Sequence, residues 1–172
     1  ETQTASSSST ISFTSNIDDT YDEYVFKFYN IHPASNSVIL QFNLSTDSGS
    51  NYNVTKTSTY FRSLHNEGGS STNVVYQTSH DLAQSTSFQD LAQGIGNDND
   101  QCTVGTLQLF NPSSDTFVKH FISRFNTYEA SDFSIDQYCA GYGNTTSAVD
   151  AVQFKMSSGN MDAGVIKLYG IS

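Results

Sequence analysis

Apolar and polar residues alternate with a period of two through much of the chain. From Tyr24 to Ile31 the alternation puts Tyr24, Phe26 and Phe28 on one face. From Val38 to Leu44 it puts Val38, Leu40, Phe42 and Leu44 together. Side chains two apart in a strand point the same way, so both runs predict strands with one buried face. Turn clusters separate further runs of the same kind. Asp47 to Ser50 is a turn before a Thr- and Tyr-rich run from Val54 to Leu64, and Asn66 to Gly69 is the next. Glycine takes the positive φ that such turns need. Asn73 to Thr78, Gly105 to Phe110, Phe133 to Tyr142, Val149 to Met156 and Gly164 to Ile171 read as strands too.

Two stretches are less regular. Asp81-Leu-Ala-Gln84 recurs as Asp90-Leu-Ala-Gln93, read as a loop or one helical turn and then a strand. Between Thr116 and Tyr128, the spacing of Phe117, Val118, Phe121, Ile122 and Phe125 fits a helix. Yet Phe117, Phe121 and Phe125 also share one strand face, and the β signals on both sides favour a long strand. The sum is an all-β chain of about nine or ten strands with little helix. That pattern predicts an antiparallel β-sandwich, jelly-roll-like or lectin-like. Residues 1–10 are Ser/Thr-rich and read as a flexible arm or linker, with residues 11–172 as a single sandwich domain.

Composition adjusts this picture in one respect. Only 36% of residues are apolar, a level at which folding needs help, but 12 Phe and 10 Tyr supply large burial per residue. The core is therefore expected to be aromatic. A net charge of −10 argues against binding a phosphate backbone or an anionic membrane surface. No apolar run is long enough for a membrane-spanning helix, and the first ten residues lack a basic-then-apolar leader pattern. Cys102 and Cys139 are too few for a disulfide framework; they form either one bridge or two free thiols.

Catalytic motifs are absent: no nucleophile elbow, zinc helix, phosphate loop or dinucleotide fingerprint occurs. His32, His65, His80 and His120 are dispersed. Acidic residues gather at Asp18-Asp19 with Asp22-Glu23, and at Asn97-Asp98-Asn99-Asp100. Asn97, Asp98 and Asp100 offer the oxygen donors that calcium takes, without the EF-hand spacing; the simpler reading is a solvated turn. Tyr52, Tyr60, Tyr128 and Tyr142 lie near predicted strand ends or loops and are candidates for stacking on sugars. Asn43, Asn53 and Asn144 each begin an N-glycosylation triplet.

Several phrases carry a resemblance. They include Asp19 to Tyr24, Asn30 to Pro33, Asp81 to Thr86, Leu109 to Ser114, Val118 to Phe121, Asn144 to Asp150, and Gln153 to Asn160 running into Ile166 to Ile171. From about residue 11 onward the chain resembles a family of marine phage virion structural proteins, found as tail, fibre or capsid-surface components. The resemblance implies a virion-surface location, contacts with other virion proteins and a homo-oligomer, a trimer if fibre-borne. It implies no catalytic mechanism and no cofactor. Two other functions remain open to the sequence. One is a carbohydrate-binding module for host or environmental glycans, with calcium as a candidate cofactor. The other is a polysaccharide depolymerase built on two carboxylates.

Overall fold

The computed structural model describes residues 1–172 and contains strands but no helix. The strands are β1 (Thr2–Thr4), β2 (Ile11–Phe13), β3 (Glu23–Pro33), β4 (Val38–Ser45), β5 (Lys56–Asn66) and β6 (Thr72–Tyr76). They continue as β7 (Gln89–Ile95), β8 (Thr103–Phe110), β9 (Lys119–Glu129), β10 (Phe133–Gly143), β11 (Ala151–Met156) and β12 (Met161–Ile171). All pairings are antiparallel. Eight strands form a long leaf in the order β1-β12-β3-β8-β9-β10-β5-β6, and four form a short leaf in the order β7-β4-β11-β2. One ladder pair, Ile95 with Glu129, joins β7 to β9, through the Gly96 amide on the Tyr128 carbonyl and the Ala130 amide on the Gly94 carbonyl. The result is one twelve-stranded sheet folded over on itself, a barrel-like variant of the sandwich expected.

The core lies between the leaves and is mixed, with a cluster of phenylalanine rings set among more numerous aliphatic side chains. Phe13 and Phe154 of the short leaf meet Phe26 of the long leaf edge-on, at 5.3 and 5.2 Å between ring centres. Phe154 also meets Phe28 at 5.0 Å, and Phe42 meets Phe121 at 5.0 Å. Burying one such ring contributes about 1.5–3 kcal/mol, and edge-to-face geometry adds about 0.5–1.5 kcal/mol per pair. Aliphatic side chains such as Leu40, Leu44, Leu107 and Ile166 fill the space around these rings. Tyr24, Phe26 and Phe28 are buried together, as are Val38, Leu40, Phe42 and Leu44, as their alternation predicts.

A second buried layer is polar. Gln137 Oε1 accepts from Tyr60 Oη and from the Gln93 amide, both at 2.6 Å. Its Nε2 donates to Thr127 Oγ1 at 2.8 Å, and Thr127 lies 2.9 Å from Thr103 Oγ1. The network ties β5, β7, β8, β9 and β10 together where the leaves meet. Two lysines are buried as well. Lys56 Nζ donates to Asn43 Oδ1 and the Val54 carbonyl, and Lys119 Nζ donates to the carbonyls of Ser114 and Phe117. No buried side-chain polar atom lacks a partner.

Two expectations change and one ambiguity is settled. The arm expected at residues 1–10 is seated: Thr2, Gln3 and Thr4 pair with Lys167, Ile166 and Val165, Ala5 is buried, and Ser8 bridges Met161. Its anchor is the otherwise unpaired edge of β12, which a local pattern does not reveal. Strands β1 and β2 raise the total to twelve. Between Thr116 and Tyr128 the strand reading holds from Lys119 onward: Phe121, Ser123, Phe125 and Thr127 point inward, whereas Ile122 is 50% and Phe117 70% exposed.

Candidate functional site

The outer face of the long leaf is not covered by any other element. Residues paired directly across an antiparallel ladder share a face, so the registers define rows running across the strands. One row reads Tyr76, Phe61, Tyr138, Arg124, Thr106, Lys27, Lys167. It collects aromatic and cationic side chains, with Tyr76, Phe61, Arg124 and Lys27 exposed and Tyr138 and Lys167 half-buried. Phe61 and Tyr138 stack nearly parallel, 4.8 Å apart and 4° between planes. The Arg124 guanidinium sits over the Tyr138 ring at 5.0 Å. Arg124 also grips Asp136 with two hydrogen bonds of 3.0 and 2.8 Å, and Tyr138 Oη donates to the same carboxylate at 2.9 Å. Asp136 is held below its ordinary pKa, chiefly by the Arg124 hydrogen bond, so it keeps this platform charged and fixed.

Beside the row lies an open hollow of about 440 Å³. Ala140 forms its floor because only a methyl group stands between Thr59 and Ile122 in the adjoining row. Phe110, His120 and Tyr142 wall it, with His120 and Tyr142 packed edge-on at 6.0 Å. At the other end of the row, Lys27 lies over Tyr169 at 5.6 Å and Lys167 over Tyr29 at 5.5 Å.

Of the tyrosines picked from sequence, Tyr142 alone lines this hollow. Tyr60 is a correction: it is fully buried and bonded to Gln137, so no sugar reaches it. Its neighbour Phe61 takes the exposed place, because adjacent strand residues face opposite ways. Tyr52 is half-buried on the loop after β4, near Gly49. Tyr128 lies near the end of β9, its hydroxyl donating to Asp132. The four do not converge. Phe61 and Tyr138 were missed because only the pairing of β5 with β10 brings them together.

Asn97, Asp98 and Asp100 occupy a tight turn, closed by the Gln101 amide on the Asp98 carbonyl at 2.8 Å. Asn97 Nδ2 donates to the Ala34 carbonyl, while Asp98 and Asp100 point to solvent. No three His, Cys, Asp or Glu side chains in the structure group closely enough to hold a metal ion. Asp18, in the other acidic cluster, caps a turn by accepting from the Thr20 amide and Tyr24 Oη.

Of the two states open to Cys102 and Cys139, the structure has the free thiols. Cys102 lies across β9 from Tyr128 and Cys139 across from Ser123. Five residues of strand separate those positions by roughly 16 Å, and a disulfide needs Cα atoms within about 7 Å. Of the sequon asparagines, Asn43 is buried, and Asn53 and Asn144 are exposed.

One histidine has catalytic-looking company. His80 Nδ1 is 2.6 Å from Asp90 Oδ2, with Tyr60 beneath the imidazole at 5.3 Å between ring centres. Turned so that its oxygen accepts from Arg62, the Gln93 amide places its NH₂ on His80 Nε2. The imidazole is then a donor to Asp90 and an acceptor from Gln93, with no ring nitrogen left to activate a nucleophile.

No protein-family model matches the chain, and no curated protein matches it either.

Proposed function

We propose that the protein is a non-catalytic binding module that holds a glycan on the open face of its long leaf. Its setting in this reading is the virion surface implied by the sequence resemblance. The observation that carries the proposal is the Phe61–Tyr138 stack, pinned by Arg124 and Asp136 beside the hollow floored by Ala140. Flat aromatic surface takes the apolar face of a sugar ring, and fixed polar groups around it take the hydroxyls. Pinning matters because an ordered side chain loses little entropy on binding.

A glycan array probed with and without calcium tests this. Binding is expected without calcium, and F61A/Y138A should lose at least about tenfold in affinity, about 1.4 kcal/mol. No hits in either condition would sink the reading. A second reading is a virion structural domain working through contacts with its own copies, as a trimer or otherwise. It is favoured by Ile122 and Val104, which are 50% and 39% exposed on the same face. Light scattering on a sizing column separates the two: a monomer fits a grafted module, a stable trimer a fibre or shell component.

A further inference from the structure

Cations are scarce in this chain, and their placement is uneven. There are 7 Lys and Arg against 17 Asp and Glu. Lys56 and Lys119 are buried and committed to carbonyl and amide oxygens. Arg62 is turned towards Gln77 and Gln93, and Lys155 lies over the Phe88 ring on the short leaf. The remaining three, Lys27, Arg124 and Lys167, all fall in the one cross-strand row that also holds Phe61 and Tyr138.

Within that row the charges are not equally compensated. Among the lysines and arginines only Arg124 forms an ion pair, with Asp136. Lys27 and Lys167 therefore have no acidic partner, in a protein with an excess of ten negative charges. They also stand directly opposite each other across the β3–β12 ladder. Like charges in that position repel, and a chain with acids to spare would normally place one nearby. Instead each ammonium leans diagonally over a tyrosine, Lys27 over Tyr169 and Lys167 over Tyr29. Lys27 is exposed and Lys167 half-buried, and the rings draw the two ammonium groups apart without neutralising them.

We infer that the glycan bound on this face is anionic, carrying sulfate or carboxylate groups that seat between Lys27 and Lys167 while its sugar rings lie along Thr106 to Phe61. The inference rests on the glycan reading above. The row from Lys167 to Phe61 crosses six strands, or roughly 24 Å at about 4.8 Å per strand, which is room for several sugar units. Aromatic platform at one end and uncompensated cations at the other demand a ligand with both apolar ring faces and negative charge. An acidic polysaccharide has both. A nucleic acid has them too, but a duplex or strand held mainly through its phosphates needs many cations, and this row offers two lysines in a chain with 7 Lys and Arg against 17 Asp and Glu.

The test uses the full chain in titration calorimetry with three oligosaccharides of matched length: a sulfated galactan, a polyuronate and a neutral glucan. At least one anionic preparation is expected to bind more tightly than the neutral one, with an affinity that falls as salt rises. K27Q/K167Q should lose about tenfold on that ligand, and K27R/K167R should retain it. Circular dichroism checks that the variants fold. If F61A/Y138A loses binding while K27Q/K167Q does not, the glycan site stands and its anionic specificity falls. A neutral glucan bound as tightly as the charged ones overturns the inference too. If none of the three binds, both proposals fall. If only a single-stranded oligonucleotide binds, and needs both lysines, the row is a nucleic-acid surface and the inference is wrong.

Discussion

Replacing Gln137 by Met tests whether the buried polar network holds the two leaves together. The side chains are close in size, so the packing volume is nearly kept and the lost hydrogen bonds dominate. Three groups lose a partner. The Gln93 amide loses its acceptor at 2.6 Å and, being buried backbone, costs about 1–3 kcal/mol. Tyr60 Oη keeps the Leu91 carbonyl at 3.3 Å, and Thr127 keeps Thr103 at 2.9 Å, so each costs about 1 kcal/mol. The total is about 3–5 kcal/mol, a large share of the 5–15 kcal/mol typical of a domain. For a chain of this length that lowers Tm by roughly 6–20 °C. Thermal melts by circular dichroism, with urea titrations to check the slope, measure it. Y60F should cost less in the Q137M background than in the original protein, because the hydroxyl it removes has already lost its best acceptor. A loss under about 1 kcal/mol, with Y60F simply additive, would refute the network's role.

Burial pushes the Lys56 ammonium down to about 7 from an ordinary 10.5. The unfolded chain holds that proton up to the ordinary value, so between about pH 7 and 10.5 it binds more protons than the folded one. Stability from this group therefore rises with pH across that window, by up to about 1.4 kcal/mol per unit, and is flat below it. K56M should remove this component, read as the difference in urea midpoints between the two proteins from pH 7 to 10; an unchanged slope would refute it. The cysteines give a third prediction. In denaturant without reductant, a thiol reagent should count two free thiols. In the folded protein only half-buried Cys102 should react, and slowly, because burial and Asp100 raise its pKa, while Cys139 stays silent. A count of zero in denaturant would mean a bridge.

The inward faces of β3 and β4 were legible because burial on one side imposes a period of two, although packing also buries Asn43 and Ser45 on the other face of β4. The segment around Phe121 was ambiguous because its aromatics satisfy two periods at once. Pairing with β8 and β10 decides it, by giving inward places to Phe121 and Phe125 and an outward one to Ile122. Strand β1 carries no alternation at all, and the β12 edge alone makes it a strand. The site was the least legible part. Choosing Tyr60 over Phe61 was an error of one residue, which in a strand exchanges core for solvent. The Phe61–Tyr138 stack and the Lys27–Lys167 pair exist only through registers between strands distant in sequence. Local spacing holds no information about them.

That β12 lies between β1 and β3 has a consequence for how the protein is made. Thr2 must find Lys167, and Lys27 must find the same residue from the other side. Closing contacts this far apart is slow, because the chain loses much freedom before any contact rewards it. A growing chain emerging from a ribosome cannot finish the long leaf until residues 161–171 are free to insert between two waiting edges. Until then β1 and β3 expose unpaired backbone, and the cationic end of the row has only one of its lysines in place. The row from Phe61 to Lys167 is thus complete only once β12 has inserted, and a chain cut short before β12 would present aromatics without the paired charge.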